Sequence, residues 1–336
     1  MAATARELAE AGLLGSLDQV AVARASVSGA DRGHPQRALD LRVLGGVDLR
    51  LLPDRGLDLG AAWYAGVPLA WASRVGEVQP LERPLGADWN GAFGGGLLTT
   101  CGLQNVGAAS EGHGQHGTFS HLRATEVRVD RLVEGAELAL QVTGVVEDVD
   151  ALGTSLRCER TVRTVTGRGE VTVVDVVTNL GAEPVAAPVL YHVNLGAPLW
   201  APGARLVAAS SQVLPRDAAA AAVGAAWQSA PSPRPGAAEL VLEHVLEPGP
   251  DGWCHVRVEN DALGIALELA WDATTMPRLH QWVHPAAGVY VLGLEPANCS
   301  VLGRAADRAQ GRLPVLQAGA SRTTRVRLRV TRPDHT

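Results

Sequence analysis

The sequence predicts an all-β protein, a large antiparallel β-sandwich with few short helices. Many short segments alternate apolar and polar residues with the period of two that is typical of strands, and turn residues separate these segments. Few segments have the apolar spacing of a helix. The chain has 336 residues, of which 46% are hydrophobic, so it can bury one large core.

The predicted strands follow one another mostly as hairpins. Residues 127–149 form one predicted hairpin with Glu134-Gly135 at its turn, and residues 156–177 form the next, with a turn at 167–169. The same alternation, or a short apolar run, predicts further strands within residues 49–71, 256–258, 265–269, 289–294 and 323–330.

Helices are predicted in only two places. Residues 4–17 fit an amphipathic helix that ends near Gly15, and residues 217–227 fit a short helix with Asp217 as its N-cap. The predicted organisation is a helical lead-in over residues 1–20, followed by a single β-sandwich domain over residues 21–336. Residues 201–238 are rich in Ala, Pro and Ser, which predicts a surface excursion from that domain.

All 29 basic residues are arginine, and this excludes several kinds of chemistry. Without a lysine amine the protein cannot form a Schiff base with its substrate. A P-loop cannot be built either, because its phosphate-binding Lys is missing. The net charge of −6 and the absence of an Arg-rich block with interleaved aromatic residues argue against nucleic acid as a partner. No cofactor is expected.

Cysteine usage and hydropathy predict the compartment. The four cysteines, Cys101, Cys158, Cys254 and Cys299, are widely spaced, which predicts buried, reduced thiols. The first 20 residues include three acidic side chains and lack the basic and apolar regions of a signal peptide. No window approaches 18 uninterrupted apolar residues, so no membrane span is expected. A cytoplasmic location is the resulting prediction.

Two loops contain polar side chains that could carry chemistry. Residues 88–104 are rich in glycine and include Asn90 and Gln104. Residues 111–121 include His113, His116 and His121. Neutral imidazoles bind zinc, but this spacing fits no helical zinc motif. The sequence favours a polar loop in which one histidine matters, and a metal site at the three histidines remains the minority alternative.

Two further candidates lie at the ends of predicted strands. His192 and Asn194 are two residues apart in an extended segment, so they point to the same face. Glu295 ends an apolar run, and the following Pro296 is predicted to break the strand. A buried carboxyl group at this place could have a raised pKa and act as a base near neutral pH.

These places, in this order, resemble the aldose 1-epimerase (galactose mutarotase-like) superfamily, and most closely its poorly characterised bacterial branch, known as a domain of unknown function. The resemblance implies a mutarotase-like supersandwich with a sugar site on the concave face of one sheet. The matching stretches span residues 50 to 300 and are Arg55-Gly56-Leu57-Asp58-Leu59-Gly60, Gly95-Gly96-Leu97-Leu98-Thr99-Thr100-Cys101-Gly102-Leu103, His116-Gly117, Tyr191-His192-Val193-Asn194-Leu195-Gly196 and Leu294-Glu295-Pro296.

The resemblance also implies roles for single residues. His192 matches a histidine that protonates the ring oxygen of the sugar, and Glu295 matches a carboxylate that removes the proton from the anomeric hydroxyl group. His116 matches a second, sugar-binding histidine. The other predicted substrate-binding residues are Asn90, Gln104, Asn194 and Gln281 for hydroxyl groups and Trp282 for stacking, with Trp89 and Tyr191 as further aromatic candidates.

The predicted function is therefore a carbohydrate isomerase, an aldose 1-epimerase that acts on a monosaccharide. One alternative is another sugar isomerase, epimerase or lyase on the same fold, in which the extra histidines hold a metal. The other is a carbohydrate-binding protein without catalysis. A homodimer is an arrangement that the exposed edges of a broad sheet allow.

Overall fold

The computed structural model describes residues 4–332, and strands account for most of its regular structure. In chain order the strands are β1 (Ala21–Ser28), β2 (Gln36–Val43), β3 (Val47–Leu52), β4 (Asp58–Tyr64), β5 (Val67–Pro68), β6 (Trp71–Ala72), β7 (Gly95–Gly96), β8 (Leu98–Gly102), β9 (Thr125–Glu134), β10 (Glu137–Val149), β11 (Ser155–Val165), β12 (Arg168–Asn179), β13 (Val185–Ala186), β14 (Val189–Leu195), β15 (Arg205–Ala208), β16 (Ser210–Pro215), β17 (Leu240–Leu246), β18 (Trp253–Asn260), β19 (Ile265–Asp272), β20 (Arg278–His284), β21 (Val291–Ala297), β22 (Val315–Leu316) and β23 (Ser321–Thr331).

Two large antiparallel sheets form a sandwich, as the sequence predicts. The first sheet has 11 strands in the order β1-β2-β3-β4-β8-β14-β21-β20-β17-β16, and β5 pairs with β4. The second sheet has eight strands in the order β15-β18-β19-β23-β12-β11-β10-β9. The main hydrophobic cluster contains residues of both sheets, among them Leu41, Leu59, Val162 and Leu269. The core therefore lies between the two sheets.

Both predicted hairpins are present, as β9–β10 and β11–β12. The sequence did not predict β1 and β2, and β1 shows why. It is an edge strand in which every residue from Val22 to Val27 is at least partly exposed, and it has no clear apolar alternation. All four cysteines are buried and free of disulfide bonds, as predicted.

The helices are shorter than predicted. Helix α1 spans Ala5–Glu10, where a capping box joins Thr4 and Glu7, and it ends before Gly12 instead of near Gly15. The Gly12 and Leu13 amides donate to the Ala9 and Leu8 carbonyl groups, a Schellman arrangement that the positive φ of Gly12 permits. A short 3-10 helix, Leu17–Gln19, follows. Residues 1–3 and 333–336 of the predicted lead-in and domain lie outside the described residues.

Within the predicted surface excursion, residues 201–238, the chain first adds β15 to one sheet and β16 to the other. The helix predicted over 217–227 is split into α2 (Ala218–Ala221) and a 3-10 helix, Gly224–Gln228. Asp217 is the N-cap, as predicted, since its Oδ1 accepts a hydrogen bond from the Ala220 amide at 3.0 Å. The last helix, α3, spans Arg304–Ala309. No helix in residues 4–332 is long and apolar enough to cross a membrane.

Pro296 does not end its strand, contrary to the prediction. β21 continues to Ala297, and Pro296 is paired with Leu279 of β20. On the other side, the ladder to β14 is interrupted between the pairs Leu190–Ala297 and Val193–Leu294. A proline can occupy this position because no hydrogen bond from its nitrogen is needed there.

A buried ionic network connects the two sheets behind β14. Arg160 of β11 donates to both carboxylate oxygens of Asp175 on β12, at 2.9 and 2.6 Å, and to Asp58 of β4 at 2.8 Å. Tyr191 of β14 donates to the same Asp175 carboxylate at 2.6 Å. Burial raises the pKa of Asp58, and the Arg160 charge opposes this shift. The network fixes the inner face of β14, next to His192.

Candidate functional site

A cavity of about 420 Å³ lies over the outer face of the 11-stranded sheet, where β14, β21 and β20 adjoin. Side chains alternate along β14, so Tyr191 faces the second sheet while His192 faces outward into the cavity. Glu295 of β21 and Trp282 of β20 also line it. A small outer cluster, which includes Leu190 and Phe93, packs at this face.

His192 and Glu295 form a close pair in the cavity wall. Their atoms Nε2 and Oε1 are 3.1 Å apart, and the residues are 4% and 3% exposed. The two side chains come from neighbouring antiparallel strands, which hold them at a fixed separation. The structure therefore brings together the two residues that the sequence predicts to be catalytic.

Gly293 makes room for this pair. A Cβ atom at Gly293 would lie 2.9 Å from Glu295 Oε1, 3.0 Å from His192 Cε1 and 3.1 Å from the Trp282 ring. The first distance is shorter than real Cβ contacts and the other two are tighter than most, so a side chain at this position would push the site residues aside.

Burial shifts the pKa values of both partners toward their neutral forms. It raises the pKa of Glu295 to about 8, with a further increase from the nearby Glu239 carboxylate and a decrease from Arg216. It lowers the pKa of His192 to about 3, His116 adds to the lowering, and Asn194 opposes it. Near pH 7 a protonated carboxyl group therefore faces a neutral imidazole.

Aromatic rings enclose the space beside His192. The Trp89 and Phe93 rings are stacked with centroids 4.3 Å apart, and the Phe93 and Trp282 rings each lie 5.3 Å from the His192 ring. Such ring faces fit the apolar face of a sugar. Trp89 and Asn90 reach the cavity from a 3-10 helix, Asp88–Ala92, inside the glycine-rich loop.

His116 lines the cavity at the other side of Trp89. The centroids of their rings are 4.5 Å apart, and the His116 and His192 ring centroids are 6.0 Å apart. Burial lowers the pKa of His116 to about 4, although Glu239 raises it, so this histidine is neutral near pH 7. A neutral imidazole can both donate and accept hydrogen bonds, as hydroxyl recognition requires.

An ion pair lies at the edge of the cavity. Arg216 Nη2 donates to Glu239 Oε1 at 3.0 Å, and Trp282 Nε1 donates to Glu239 Oε2 at 2.9 Å. Burial tends to raise the pKa of Glu239, but the hydrogen bonds from Trp282 and Arg216 lower it overall, so it stays ionised. Glu239 thereby orients Trp282 and places a negative charge near Glu295.

Four candidates for substrate binding do not line the cavity, and one of them is Tyr191, which faces the second sheet. Gln104 donates to Asp148 at 2.6 Å. The fully buried Asn194 donates to the carbonyl oxygens of Gly96 and His192, at 3.0 and 2.9 Å, and so fixes the local backbone. Gln281 is bonded to His244 at 2.9 Å. The structure places His116, Asn90 and Trp282 at the cavity with the catalytic candidates.

The three histidines of the metal alternative do not converge. His113 contacts Arg304 at 3.1 Å, His121 accepts a hydrogen bond from the Leu81 amide at 3.1 Å, and His116 faces the cavity. No cluster of three His, Cys, Asp or Glu side chains within residues 4–332 could hold a metal ion. In this structure the three histidines therefore do not come together as a shared metal site would require.

Sequence reasoning missed four contributors to the site: Phe93, Gly293, Arg216 and Glu239. Phe93 and Gly293 belong to segments that it singled out, where a Gly next to a predicted strand end could have indicated a close approach. Arg216 and Glu239 flank the segment that includes α2, and no local pattern marks them.

The match to known families covers most of the chain. A family model described as "Domain of unknown function (DUF4432)" matches residues 33–330. The chain belongs to the DUF4432 family. No match was found among curated proteins.

Solved structures share the fold of this DUF4432 protein. A Klebsiella pneumoniae protein named "putative aldose 1-epimerase" has a TM-score of 0.83 at 22% identity, over 96% of this chain and 89% of its own. A galactose mutarotase-like protein from Clostridium acetobutylicum has a TM-score of 0.63 at 13% identity, over 94% and 100%. Galactose 1-epimerase from Lactobacillus acidophilus has a TM-score of 0.56 at 10% identity, over 93% and 99%. The fold of this DUF4432 protein is thus mutarotase-like.

Proposed function

We propose that this protein is a carbohydrate isomerase, an aldose 1-epimerase that interconverts the anomers of a sugar. The observation that carries the proposal is the buried His192–Glu295 pair, 3.1 Å apart in the wall of an aromatic cavity. Similarity to structures named as aldose 1-epimerases and mutarotases supports it at the level of the fold. The cavity volume is also within the range of small-molecule sites, roughly 300–1,000 Å³.

The proposed reaction needs only proton transfers. Glu295 takes the proton from the anomeric O1, the bond between C1 and the ring oxygen breaks, and His192 gives a proton to that oxygen. Rotation about the C1–C2 bond exposes the other face of the aldehyde, and the reverse transfers close the ring as the other anomer. No electron leaves or enters the sugar, and one proton enters as one departs.

The pair can supply this chemistry because it holds a shared titratable proton. The neutral form, with the proton on Glu295, and the ionic form, with the proton on His192, have the same total charge. Burial favours the neutral form at rest. A sugar hydroxyl group can insert between the two side chains and replace their direct contact. The pair can then adopt the ionic form without exchanging protons with water.

Direct measurement of anomer exchange tests the proposal. We expect the purified protein to accelerate the exchange of at least one aldose in saturation-transfer NMR, and His192→Asn to remove this acceleration by removing the acid. A half-buried histidine away from the cavity provides the control: His255→Asn should keep the wild-type rate, since His255 lies on the other sheet. Sugar binding without any exchange would instead indicate the non-catalytic alternative. Turnover of a sugar with no anomer exchange would indicate another isomerase or lyase.

The pH dependence follows from the proton that the pair shares. We expect kcat/KM to stay constant between about pH 5 and pH 7 and to fall about tenfold per unit above about pH 8, where Glu295 loses that proton. The spontaneous rate, measured without protein, is subtracted at each pH. Glu239→Gln removes a negative charge that raises the pKa of Glu295, so the alkaline decrease should begin at lower pH. An alkaline limb that does not move in this variant contradicts the assignment.

A further inference from the structure

Next to the cavity lies a smaller recess, which we call the side cleft. Arg216, Val241, Val301 and Leu302 line both spaces. The side cleft has a volume of about 160 Å³, and its further lining includes Arg312, Glu243, His280 and Ser300. A molecule whose ring contacts His192 and Glu295 could therefore extend past Leu302 into the side cleft.

The side cleft presents hydrogen-bond donors that the fold does not use. Arg312 Nε lies 3.3 Å from Asp307 Oδ1 in an ion pair, but the two atoms do not form a hydrogen bond of good geometry. The Ser300 hydroxyl accepts a hydrogen bond from the Leu302 amide at 3.2 Å, which leaves its own proton to donate. These polar groups lie beside apolar lining residues such as Leu214 and Pro215.

Charge balance indicates the kind of group that fits. Each arginine near the side cleft has an acidic partner: Arg216 pairs with Glu239, Arg312 with Asp307, and Arg278 with Glu243. A phosphate or carboxylate would meet as many negative as positive charges, and so would gain little. Hydroxyl groups both donate and accept, so they suit a surface in which guanidinium and carboxylate groups alternate.

We infer that the side cleft binds the second sugar unit of a reducing disaccharide, with the reducing-end ring at His192 and Glu295. This inference rests on the proposed function and narrows its substrate class to uncharged sugars longer than a monosaccharide. Arg312 and Ser300 are the specificity-determining residues.

The test compares substrates in the full-length protein. Anomer exchange is measured by saturation-transfer NMR for glucose, galactose, glucose 6-phosphate, maltose, cellobiose, lactose and melibiose. We expect at least one disaccharide to have a higher kcat/KM than either monosaccharide. Arg312→Met should lower the disaccharide value about tenfold and leave the monosaccharide values unchanged, because Arg312 does not line the main cavity.

A second side-cleft variant and a control variant test the inference if Arg312→Met folds poorly. Leu214→Trp fills the side cleft from a position that is 47% exposed and outside the main cavity, so it should have the same selective effect. Arg308→Met is the matched control, since Arg308 binds Glu111 on the surface and does not line the side cleft. This control should leave all substrates unchanged.

The outcomes separate the inference from the function on which it rests. Monosaccharide exchange with no preference for any disaccharide would overturn the inference alone. A preference for glucose 6-phosphate that disappears in Arg312→Met would also overturn it, because the side cleft would then select an anion. If no sugar exchanges, the proposed function fails, and calorimetry on Glu295→Gln decides the inference separately. Tighter binding of a disaccharide than of its monosaccharides supports the side cleft, and equal or weaker binding rejects it.

Discussion

Replacing Glu295 with Gln is expected to remove most of the anomer-exchange activity while making the protein more stable at alkaline pH. Gln keeps the size of the side chain and can still bond to His192, but it cannot accept the proton from O1. General acid–base groups contribute about 100- to 10,000-fold to rates, so a loss of that size in kcat is expected. NMR exchange rates measure the activity.

The expected gain in stability follows from the raised pKa. Between the ordinary value of 4.5 and the folded-state value of about 8, the unfolded chain loses the Glu295 proton while the folded protein retains it. Folding therefore becomes less favourable as pH rises through this range, and the cost is complete above about pH 8. The Glu295→Gln variant has no such cost, and we expect a gain of about 2–4 kcal/mol at pH 8.5 that disappears near pH 4.

Urea unfolding of both proteins across pH measures this difference. Glu247→Gln, an exposed position just after β17, is the control and should change neither activity nor the pH dependence of stability. A Glu295→Gln protein that loses activity without gaining stability at pH 8.5 would show that the carboxyl group is ionised at rest. In that case the ionic form of the pair, rather than the neutral one, is the resting state.

The two central residues could be predicted because each belongs to a strand with a clear local pattern. His192 and Glu295 follow apolar runs, and adjacent strands bring such positions together once the sheet forms. The resemblance to the superfamily selected them among several polar positions. Burial of the pair, which sets its pKa values, depends on Trp89, Phe93 and Trp282, whose convergence no local pattern shows.

Other parts of the site depended on contacts that the sequence does not encode locally. Gln281 and Trp282 were both predicted to bind substrate, yet neighbours in a strand point to opposite faces. The structure places Trp282 at the cavity and Gln281 beside His244. Arg216 and Glu239 lie 23 positions apart in the sequence and meet only because β16 and β17 pair. Only the tertiary structure shows that Arg216 and Glu239 form a pair.

The second large effect is expected from the buried network behind β14. Arg160→Met removes the only charged partner that the network supplies to Asp58 and Asp175 within the described residues, and both carboxylates are inaccessible to water. Breaking a buried ion pair on one side typically costs about 3–5 kcal/mol. We expect a loss of this size in the free energy of unfolding, measured with urea at pH 7.

Arg157→Met is the matched control on the same strand. Arg157 contacts Glu126, Glu147 and Glu159, which are all well exposed, so its removal should cost at most about 1 kcal/mol. Equal losses of stability in the two variants would show that the buried ion pairs of Arg160 stabilise the protein no more than the exposed contacts of Arg157. Combining Arg160→Met with Asp58→Asn and Asp175→Asn should recover part of the loss, because no uncompensated charge then remains in the core.

The network also connects stability to the proposed chemistry through one hydroxyl group. Tyr191 donates to Asp175 from the inner face of β14, and the next residue along the strand is His192. Tyr191→Phe keeps the ion pairs with Arg160 and removes this anchor together with the hydrogen bond between the Tyr191 hydroxyl and Thr324, at a cost of about 1–3 kcal/mol. If the anchor positions His192, kcat falls while KM and the alkaline limb of the pH profile remain unchanged, since neither the sugar contacts nor the burial of Glu295 is altered. A purely structural role for Tyr191 would lower stability and leave kcat at the wild-type value.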